Sequence, residues 1–358
     1  MAYTTINNPE LFFQTVLWTG NGSSSRSITL DGSEDMQPDW TWLKARAGSE
    51  GTQQHYLYDS VRGATKYLQS STANAEGTKS NGLSAFASDG FTIGDDNANN
   101  GSSTTYVAWN WKAGTTGSGT TTGSGTGKAY SYSVNTTAGF SIVKYIGNGT
   151  SGHTIPHHLG AVPKWFLVKN LDNTGGWAWR VYHASLGETK RIFLDTTAVA
   201  DTDSTAWNDT APTSSVFTLG NSTGTNSNDE NFIAYCFAEK QGYSKFGQYE
   251  GNANADGTYI YTGFLPAVVI VKNIDAAENW IIFDNKRPGY NLTDALLKPN
   301  LNNAESTSGV KFDLLSNGFK ARVSDAEGNS SATFIYLAFA ENPFVGNDSG
   351  TAVPVTAR

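Results

Sequence analysis

The stretch SIVKYIGNGTSGHTI, at residues 141–155, is an alternating apolar run that ends in an Asn-Gly turn, and it has two counterparts in the chain. These are TVLWTGNGSSSRSI at residues 15–28 and KFGQYEGNANADGTYI at residues 245–260. Asn and Gly tolerate the positive φ of a tight hairpin turn. We therefore expect each stretch to be a strand that ends in a turn and opens a repeated unit.

Two further landmarks follow each turn in the same order. The first is a proline followed by a strand, as in AVPKWFLVKN at residues 161–170, and the second is a closing aromatic strand, as in ENFIAYCFAE at residues 230–239. The other copies are QPDWTWLKAR (37–46), FLPAVVIVKN (264–273), TTYVAWNWKA (104–113) and ATFIYLAFAE (332–341). The turn glycine and the last aromatic residue are close to 90 residues apart in every copy, so the chain contains an internal repeat.

The composition predicts an all-β fold. Gly, Ser, Thr and Asn separate short aromatic or β-branched runs, and helical periodicity is nearly absent. Short strands at regular spacing favour a sandwich or jelly roll over a parallel sheet. We predict three tandem β-sandwich or jelly-roll-like repeats of about 90 residues, at residues 1–112, 135–240 and 241–345, followed by an extended tail at residues 346–358.

Residues 113–134 form a Gly/Ser/Thr-rich segment that the third repeat lacks. Its Gly127-Lys128 pair resembles a phosphate-binding loop, but such a loop has Gly where Thr122 stands and a hydroxyl where Ala129 stands. A segment of this composition is typical of a flexible coil. We therefore predict a linker, with the first repeat as one module and residues 139–344 as another.

Charge and leader signals exclude several classes of protein. The net charge of −8 and the absence of a basic patch argue against nucleic acid as a partner. No apolar run reaches the roughly 18 residues of a membrane helix, and we predict no membrane association. The start of the chain lacks the pattern of a secretory signal peptide, so we expect synthesis in the cytoplasm. Cys236 stands alone in an apolar run, where a cysteine acts as a small hydrophobic residue.

Candidate chemistry is sparse, and we predict no catalytic residue, no metal site and no cofactor. His153, His157 and His158 share one loop, but the corresponding loops of the other repeats carry no histidine. The acidic loops do not have the ligand spacing of a calcium site, and no nucleophile elbow is present. Asn, Asp and Gly are the usual residues of loops between strands, so these segments are best explained as connections.

Two sets of residues remain as candidates for a structural or a binding role. Arg62 and Glu76 recur as Arg287 and Glu305 in the third repeat, and a charge repeated in this way predicts structural ion pairs. Trp40, Trp42, Trp109 and Trp111 occupy positions where other repeats have Phe, Leu, Val or Tyr, which predicts core packing. The remaining candidates for a glycan or partner surface lie in less regular stretches and are Trp177, Trp179 and Trp207.

The repeated phrases resemble a known family. LYDSVRGATKYL, YVAWNWKAG, GFSIVKYIGNGTSGHTIPHHLGAVPKWFLVKN and FIYLAFAENPF are similar to uncharacterised repeat domains in virion structural proteins of tailed bacteriophages, mostly of marine bacteria. The resemblance covers about residues 3–344. The second repeat departs from it, because HASLGETK at residues 183–190 replaces the Asp–Arg motif.

The resemblance implies a non-enzymatic virion component, as a capsid decoration, tail or fibre protein. Other virion proteins and further copies of the same chain are the expected partners, because phage particles are symmetric assemblies. The alternative is a carbohydrate-binding receptor-recognition protein of the tail, with a host surface glycan as ligand. A β-sandwich hydrolase is a third interpretation, but no combination of acid, base and nucleophile supports it.

Overall fold

The computed structural model describes residues 4–172, 175–309 and 311–345. Strands far outnumber helical residues and pair in antiparallel sheets, which confirms the predicted all-β class. The helices are short: the 3₁₀ turn Pro9–Leu11, α1 (Asn97–Asn100), α2 (Ser204–Trp207) and α3 (Thr223–Asn226). Within the described residues, no helix has the length and apolar character needed to cross a membrane.

The first unit builds a large sheet in the order β1-β9-β3-β4-β5-β6 and a small sheet in the order β2-β8-β7. Its strands are β1 (Phe13–Thr19), β2 (Arg26–Ile28), β3 (Trp40–Ala47), β4 (Tyr56–Asp59), β5 (Lys66–Gln69), β6 (Gly77–Thr78), β7 (Leu83–Ala87), β8 (Gly90–Ile93) and β9 (Thr105–Trp111). The closing strand β9 lies between β1 and β3, and Trp111 is the register partner of both Phe13 and Trp40.

The second unit has the large sheet β10-β12-β13-β20-β15-β16-β17-β18 and the small sheet β11-β14-β19. Its first strands are β10 (Thr115–Thr120), β11 (Thr122–Gly123), β12 (Ala129–Asn135), β13 (Phe140–Ile146), β14 (His153–Pro156) and β15 (Trp165–Asn170). The others are β16 (Arg180–His183), β17 (Lys190–Phe193), β18 (Asp201–Thr202), β19 (Val216–Leu219) and β20 (Asn231–Phe237). The closing strand β20 lies between β13 and β15, as β9 does between its neighbours.

The third unit has the large sheet β21-β27-β23-β24 and the small sheet β22-β26-β25. Its strands are β21 (Ser244–Glu250), β22 (Tyr259–Tyr261), β23 (Phe264–Asn273), β24 (Trp280–Asp284), β25 (Phe312–Leu315), β26 (Gly318–Ala321) and β27 (Thr333–Pro343). The order β21-β27-β23-β24 matches β1-β9-β3-β4 and β13-β20-β15-β16, so one four-strand arrangement occurs three times.

The central strands of each large sheet are buried on both faces. Alternate residues of a strand point to opposite faces. In β20, Phe232 and Ala234 pack towards the small sheet of the same unit, whereas Tyr235 and Phe237 enter a core that all three units share. The closing strands therefore read as nearly continuous apolar runs, because neither face contacts water.

The shared core closes around three equivalent aromatic side chains. The ring centroids of Trp111 and Phe237 lie 6.3 Å apart, those of Trp111 and Phe339 5.6 Å, and those of Phe237 and Phe339 5.5 Å. Each ring comes from the closing strand of a different unit. The units are thus packed cyclically about a pseudo-threefold axis that passes through this aromatic triangle.

The predicted flexible linker at residues 113–134 is wrong, because most of it is sheet. β10 pairs with β12 from Thr115 opposite Val134 to Thr120 opposite Ala129, which adds a hairpin to the edge of the second large sheet. The glycines of β10 alternate at a period of two, and the tyrosines of β12 cover them. A Cβ built on Gly117 would lie 2.5 Å from the hydroxyl oxygen of Tyr132. The glycines therefore provide room for the tyrosines.

The predicted division into an independent first module and a second module at residues 139–344 is wrong for a related reason. Trp40 of the first unit stacks on Tyr235 of the second at 4.5 Å, and Phe13 stacks on Phe339 of the third at 5.6 Å. Separating the modules would expose these rings to water. The predicted tail at residues 346–358 lies outside the described residues.

Candidate functional site

The predicted Arg62–Glu76 pair belongs to a buried network at the end of β4. Asp59 ends the strand, and its carboxylate accepts hydrogen bonds from the backbone N–H of Arg62 at 2.8 Å and from the Arg62 guanidinium. Arg62 also donates to the carbonyl of Leu57 at 2.9 Å and pairs with Glu76 at 3.3 Å. Burial opposes the charge of Arg62, but the combined effect of Asp59, Tyr235 and Glu76 outweighs burial and raises the pKa of the guanidinium.

The third unit repeats this network. The backbone N–H of Arg287 donates to Asp284 at 2.9 Å, and its guanidinium contacts Asp284 at 2.6 Å and Glu305 at 3.0 Å. Glu305 also binds Arg46 of the first unit through two hydrogen bonds of 2.9 and 2.8 Å. Together, Arg46 and Arg287 outweigh the effect of burial and lower the pKa of Glu305. The Arg46–Glu305 pair thus joins the third unit to the first.

In the second unit, His183 occupies the place of the aspartates. It is the register partner of Trp165, as Asp59 is of Trp40 and Asp284 is of Val268. Its Nδ1 accepts a hydrogen bond from the N–H of Ser185 at 3.1 Å, and its Nε2 lies 3.2 Å from the carbonyl oxygen of Tyr336. Burial lowers the pKa of His183 to about 4, so the ring is neutral near pH 7.

These three positions contact the closing strand of the next unit in a cycle. Tyr235 of the second unit donates to Asp59 of the first at 2.7 Å. Trp109 of the first donates to Asp284 of the third at 3.0 Å, and His183 of the second contacts the backbone of the third. Leu337 stands where the other closing strands have Trp109 and Tyr235, and it has no polar group. A histidine that bonds to the backbone therefore suits this junction.

Backbone contacts repeat the same cycle. The N–H of Glu76 donates to the carbonyl of Leu171 at 2.9 Å, that of Ala200 to Ile274 at 3.4 Å, and that of Glu305 to Arg46 at 2.8 Å. Ala200 thus occupies the position of the two glutamates. The Asp–Arg–Glu groups face partners within the protein, which is the arrangement of a structural network. Their carboxylates are occupied as hydrogen-bond acceptors at unit boundaries.

Three buried lysines form a second equivalent set. Each ammonium group donates to backbone carbonyls: Lys44 to Gly51 at 2.7 Å, Lys169 to Trp177 at 2.6 Å and Lys272 to Asn273 at 2.6 Å. Burial lowers the pKa of Lys44 to about 7 and that of both Lys169 and Lys272 to about 8. Lys169 also reaches the carbonyl of Ala73 in the first unit, so this set too bridges units.

The tryptophans predicted as a glycan or partner surface are mostly internal. Trp179 is fully buried, and its indole N–H donates to the carbonyl of Gln69 in the first unit at 2.9 Å. Trp207 is 1% exposed and packs edge-on against Phe166. Trp177 is half-buried beside Lys169. The proposed surface role is therefore wrong for Trp179 and Trp207, because both serve as packing.

The histidine loop separates into unrelated contacts. His153 bridges Asn226 and Thr121 at 2.9 and 2.7 Å, and His158 stacks on Tyr132. Among the described residues, no group of three or more His, Cys, Asp and Glu side chains is placed to hold a metal ion. Cys236 is buried in β20, and burial raises the pKa of its thiol.

Sequence reasoning missed a set of buried asparagines that hold the repeat-opening turns. The side chains of Asn100, Asn226 and Asn329 accept hydrogen bonds from the N–H of Asn21, Asn148 and Asn252 at 3.1, 2.9 and 3.2 Å. The paired residues are 79, 78 and 77 positions apart. This regular separation is the signal that could have revealed them.

The third unit carries a cleft of about 420 Å³ lined by Glu278, Lys298, Asp325 and Glu327 among others. Lys298 and Glu327 form an ion pair of 2.5 Å, and Asn279 donates to the same carboxylate. The charged side chains that line this cleft thus partly neutralise one another. A second, smaller cleft lies beside β22.

Fold and contacts together define an all-β body of three cyclically packed units. The chain belongs to the family of a domain of unknown function, DUF7483, whose model matches residues 8–343. That single match spans all three units, in agreement with their common core. No curated protein and no solved structure matched the chain.

Proposed function

We propose that this chain is a non-enzymatic structural protein of a bacteriophage particle, acting as a capsid decoration, tail or fibre component through protein–protein assembly. The observation that carries the proposal is the cyclic packing of three similar units around one core. Such a body presents three related outer faces. It therefore suits a threefold position in a symmetric assembly better than a single asymmetric domain would.

The use of the ionisable residues supports the same proposal. Asp59, Arg62, Asp284 and Arg287 join strand ends and units, and their side chains are fully buried. A catalytic acid or base instead needs to reach a substrate proton within hydrogen-bonding distance. Other virion proteins, and further copies of this chain, are the proposed partners.

The test is immunogold electron microscopy of intact phage particles with an antibody raised against the purified chain. Label spread over the head supports a capsid decoration role, and label confined to the tail or fibres supports an attachment role. Antibody pre-absorbed with the chain is the control. Mass spectrometry of gradient-purified particles provides a second measurement, and particles in which it detects the chain should also bind gold. If neither method detects the chain in the particles, the proposal is overturned.

A further inference from the structure

Two tyrosines stand out on the surface of the third unit. Tyr259 and Tyr261 lie on β22 with 43% and 53% of their surface exposed, whereas Ile260 between them is buried in the core of the unit. Residues two apart on a strand share a face. Both rings therefore stand on the solvent side of the small sheet, and the Tyr259 hydroxyl is fixed to Asn317 at 2.7 Å.

The other units show that the fold does not require aromatic residues here. Ile260 pairs with Phe319 as Ile28 pairs with Phe91 and Ile155 with Phe217, which aligns the three strands. The positions of Tyr259 and Tyr261 then correspond to Ser27 and Thr29 in the first unit and to Thr154 and Pro156 in the second. The tyrosines are thus a feature of the third unit alone, at positions where small residues suffice for the architecture.

Tyr261 also forms one wall of a polar cleft. The cleft encloses about 260 Å³ and is lined by Tyr261, Thr262, Glu239, Gln241, Ser244 and Lys245, together with Gly242. Glu239 and Lys245 form an ion pair of 2.9 Å, so their groups are held in place at the rim. The segment that lines the cleft is anchored by Tyr243, which is buried in the shared core.

We propose that this cleft binds carbohydrate, with a hexopyranose ring packed on Tyr261 and its hydroxyls hydrogen-bonded by Glu239, Gln241 and Lys245. One face of a pyranose ring is lined by C–H groups and suits an aromatic face, while its rim needs donors and acceptors. The lining supplies both. Tyr259 lies one position further along the same face and offers a second stacking surface for the neighbouring sugar of an oligosaccharide.

The charged surroundings favour a sugar over a protein partner. Protein interfaces place exposed aromatic residues in a centre depleted of charge. Here Lys320 lies opposite Tyr259, and Glu239 and Lys245 flank Tyr261. This inference goes beyond the structural role and does not depend on where the chain sits in a particle.

The experiment is saturation-transfer NMR on the full chain with methyl glycosides of glucose, galactose, mannose and N-acetylglucosamine. We expect transfer from at least one glycoside, and Tyr261→Ala should weaken binding about tenfold or more. Tyr290→Ala is the matched control, since Tyr290 is 81% exposed in a loop of the same unit and does not line the cleft; it should bind as the unchanged chain does.

Three results would overturn the proposal. The first is no transfer from any of the four glycosides, and the second is transfer that persists unchanged in Tyr261→Ala. The third is a variant that alters self-association in sedimentation velocity while sugar binding stays absent, which would assign the tyrosines to a protein contact. Because both tyrosines are exposed, the variants should keep the melting temperature of the unchanged chain, and a large fall would itself contradict the surface assignment.

Discussion

The hydroxyl of Tyr235 donates a hydrogen bond of 2.7 Å to the carboxylate of Asp59, which lies 176 residues earlier in the chain and in a different unit. Both side chains are fully buried. Asp59 uses the same oxygen to contact Arg62, so the bond connects the strand-end network of the first unit to the closing strand of the second.

This bond should contribute measurably to stability. Replacing Tyr235 by Phe removes the donor and leaves the buried carboxylate with one partner fewer, and we expect a loss of about 1–3 kcal/mol in the free energy of unfolding. Urea denaturation followed by tryptophan fluorescence measures it. Tyr259→Phe removes a hydroxyl that bonds to Asn317 at the surface, and it should change stability by less than about 0.5 kcal/mol. Equal losses in the two variants would contradict the special role of the buried bond.

The Arg62–Glu76 pair should show energetic coupling. Arg62→Ala leaves the buried carboxylate of Asp59 without its cation, and we expect a loss of about 3–5 kcal/mol. Glu76 is 18% exposed by side chain and lies 3.3 Å from Arg62, so Glu76→Ala should cost less. A double-mutant cycle in urea measures the coupling between the two residues. If the two losses simply add, Glu76 is not a functional partner of Arg62.

The class of fold and much of the core could be predicted from the sequence, because local patterns determine both. Trp109 and Trp111 are two residues apart in an apolar run, so they share one sheet face and are buried as expected. Which part of the protein packs against that face could not be predicted from the sequence. The run TYVAWNW is apolar on both sides, which indicates burial on both faces but does not say that the second face meets two other units.

The wrong predictions for individual residues have a similar cause, because the contacts involved lie far apart in the sequence. Trp179 follows the sequence GGWA, which has no strand pattern, and its indole N–H donates to the carbonyl of Gln69, 110 residues earlier. The glycines of residues 113–134 suggested a flexible coil because composition alone does not show which tyrosines cover them. By contrast, the Arg62–Glu76 and Arg287–Glu305 pairs could be inferred, since a repeated charge pattern within one chain carries information about contact.

The buried lysines should make the protein more stable as the pH rises from 7 towards 9.5. Lys44, Lys169 and Lys272 have pKa values of about 7, 8 and 8 in the folded state, compared with an ordinary value of 10.5. Between these values the unfolded chain binds more protons than the folded one. Stability therefore increases with pH, by up to about 1.4 kcal/mol per unit for each titrating lysine.

Urea denaturation at half-unit pH steps measures this slope. The upper limit is set by the buried tyrosines, whose raised pKa values give the opposite slope once tyrosines ionise in the unfolded chain above about pH 10. Lys44→Met removes one titrating group and should reduce the slope. Stability that does not rise between pH 7 and 9.5 would show that the ammonium groups are better satisfied by their carbonyls than the burial of these side chains implies.

The turn glycines should tolerate no side chain. A Cβ on Gly20, Gly147 or Gly251 would lie 2.1, 2.2 or 2.0 Å from a backbone carbonyl oxygen. We expect Gly147→Ala to destabilise the fold by about 3 kcal/mol or more, since the chain must move to make room. Gly160→Ala is the control: its φ is +66°, but no atom lies within 4 Å of the added carbon, so only the backbone strain of about 1 kcal/mol remains. Thermal and urea unfolding of both variants measure the difference.

The hairpin at residues 113–134 should resist proteases as long as the three units stay packed. Limited proteolysis with thermolysin, at conditions where the chain is folded, should leave it intact, because β10 is paired with β12 along its length. Tyr132→Ser uncovers Gly117 and should increase cleavage within the hairpin while cleavage elsewhere stays the same. Release of separately stable fragments 1–112 and 139–344 from the unchanged chain would contradict the shared core. We expect that separated fragments unfold or aggregate. Separation would expose to water rings that are almost completely buried in the intact chain, namely Trp40, Trp111, Phe237 and Phe339.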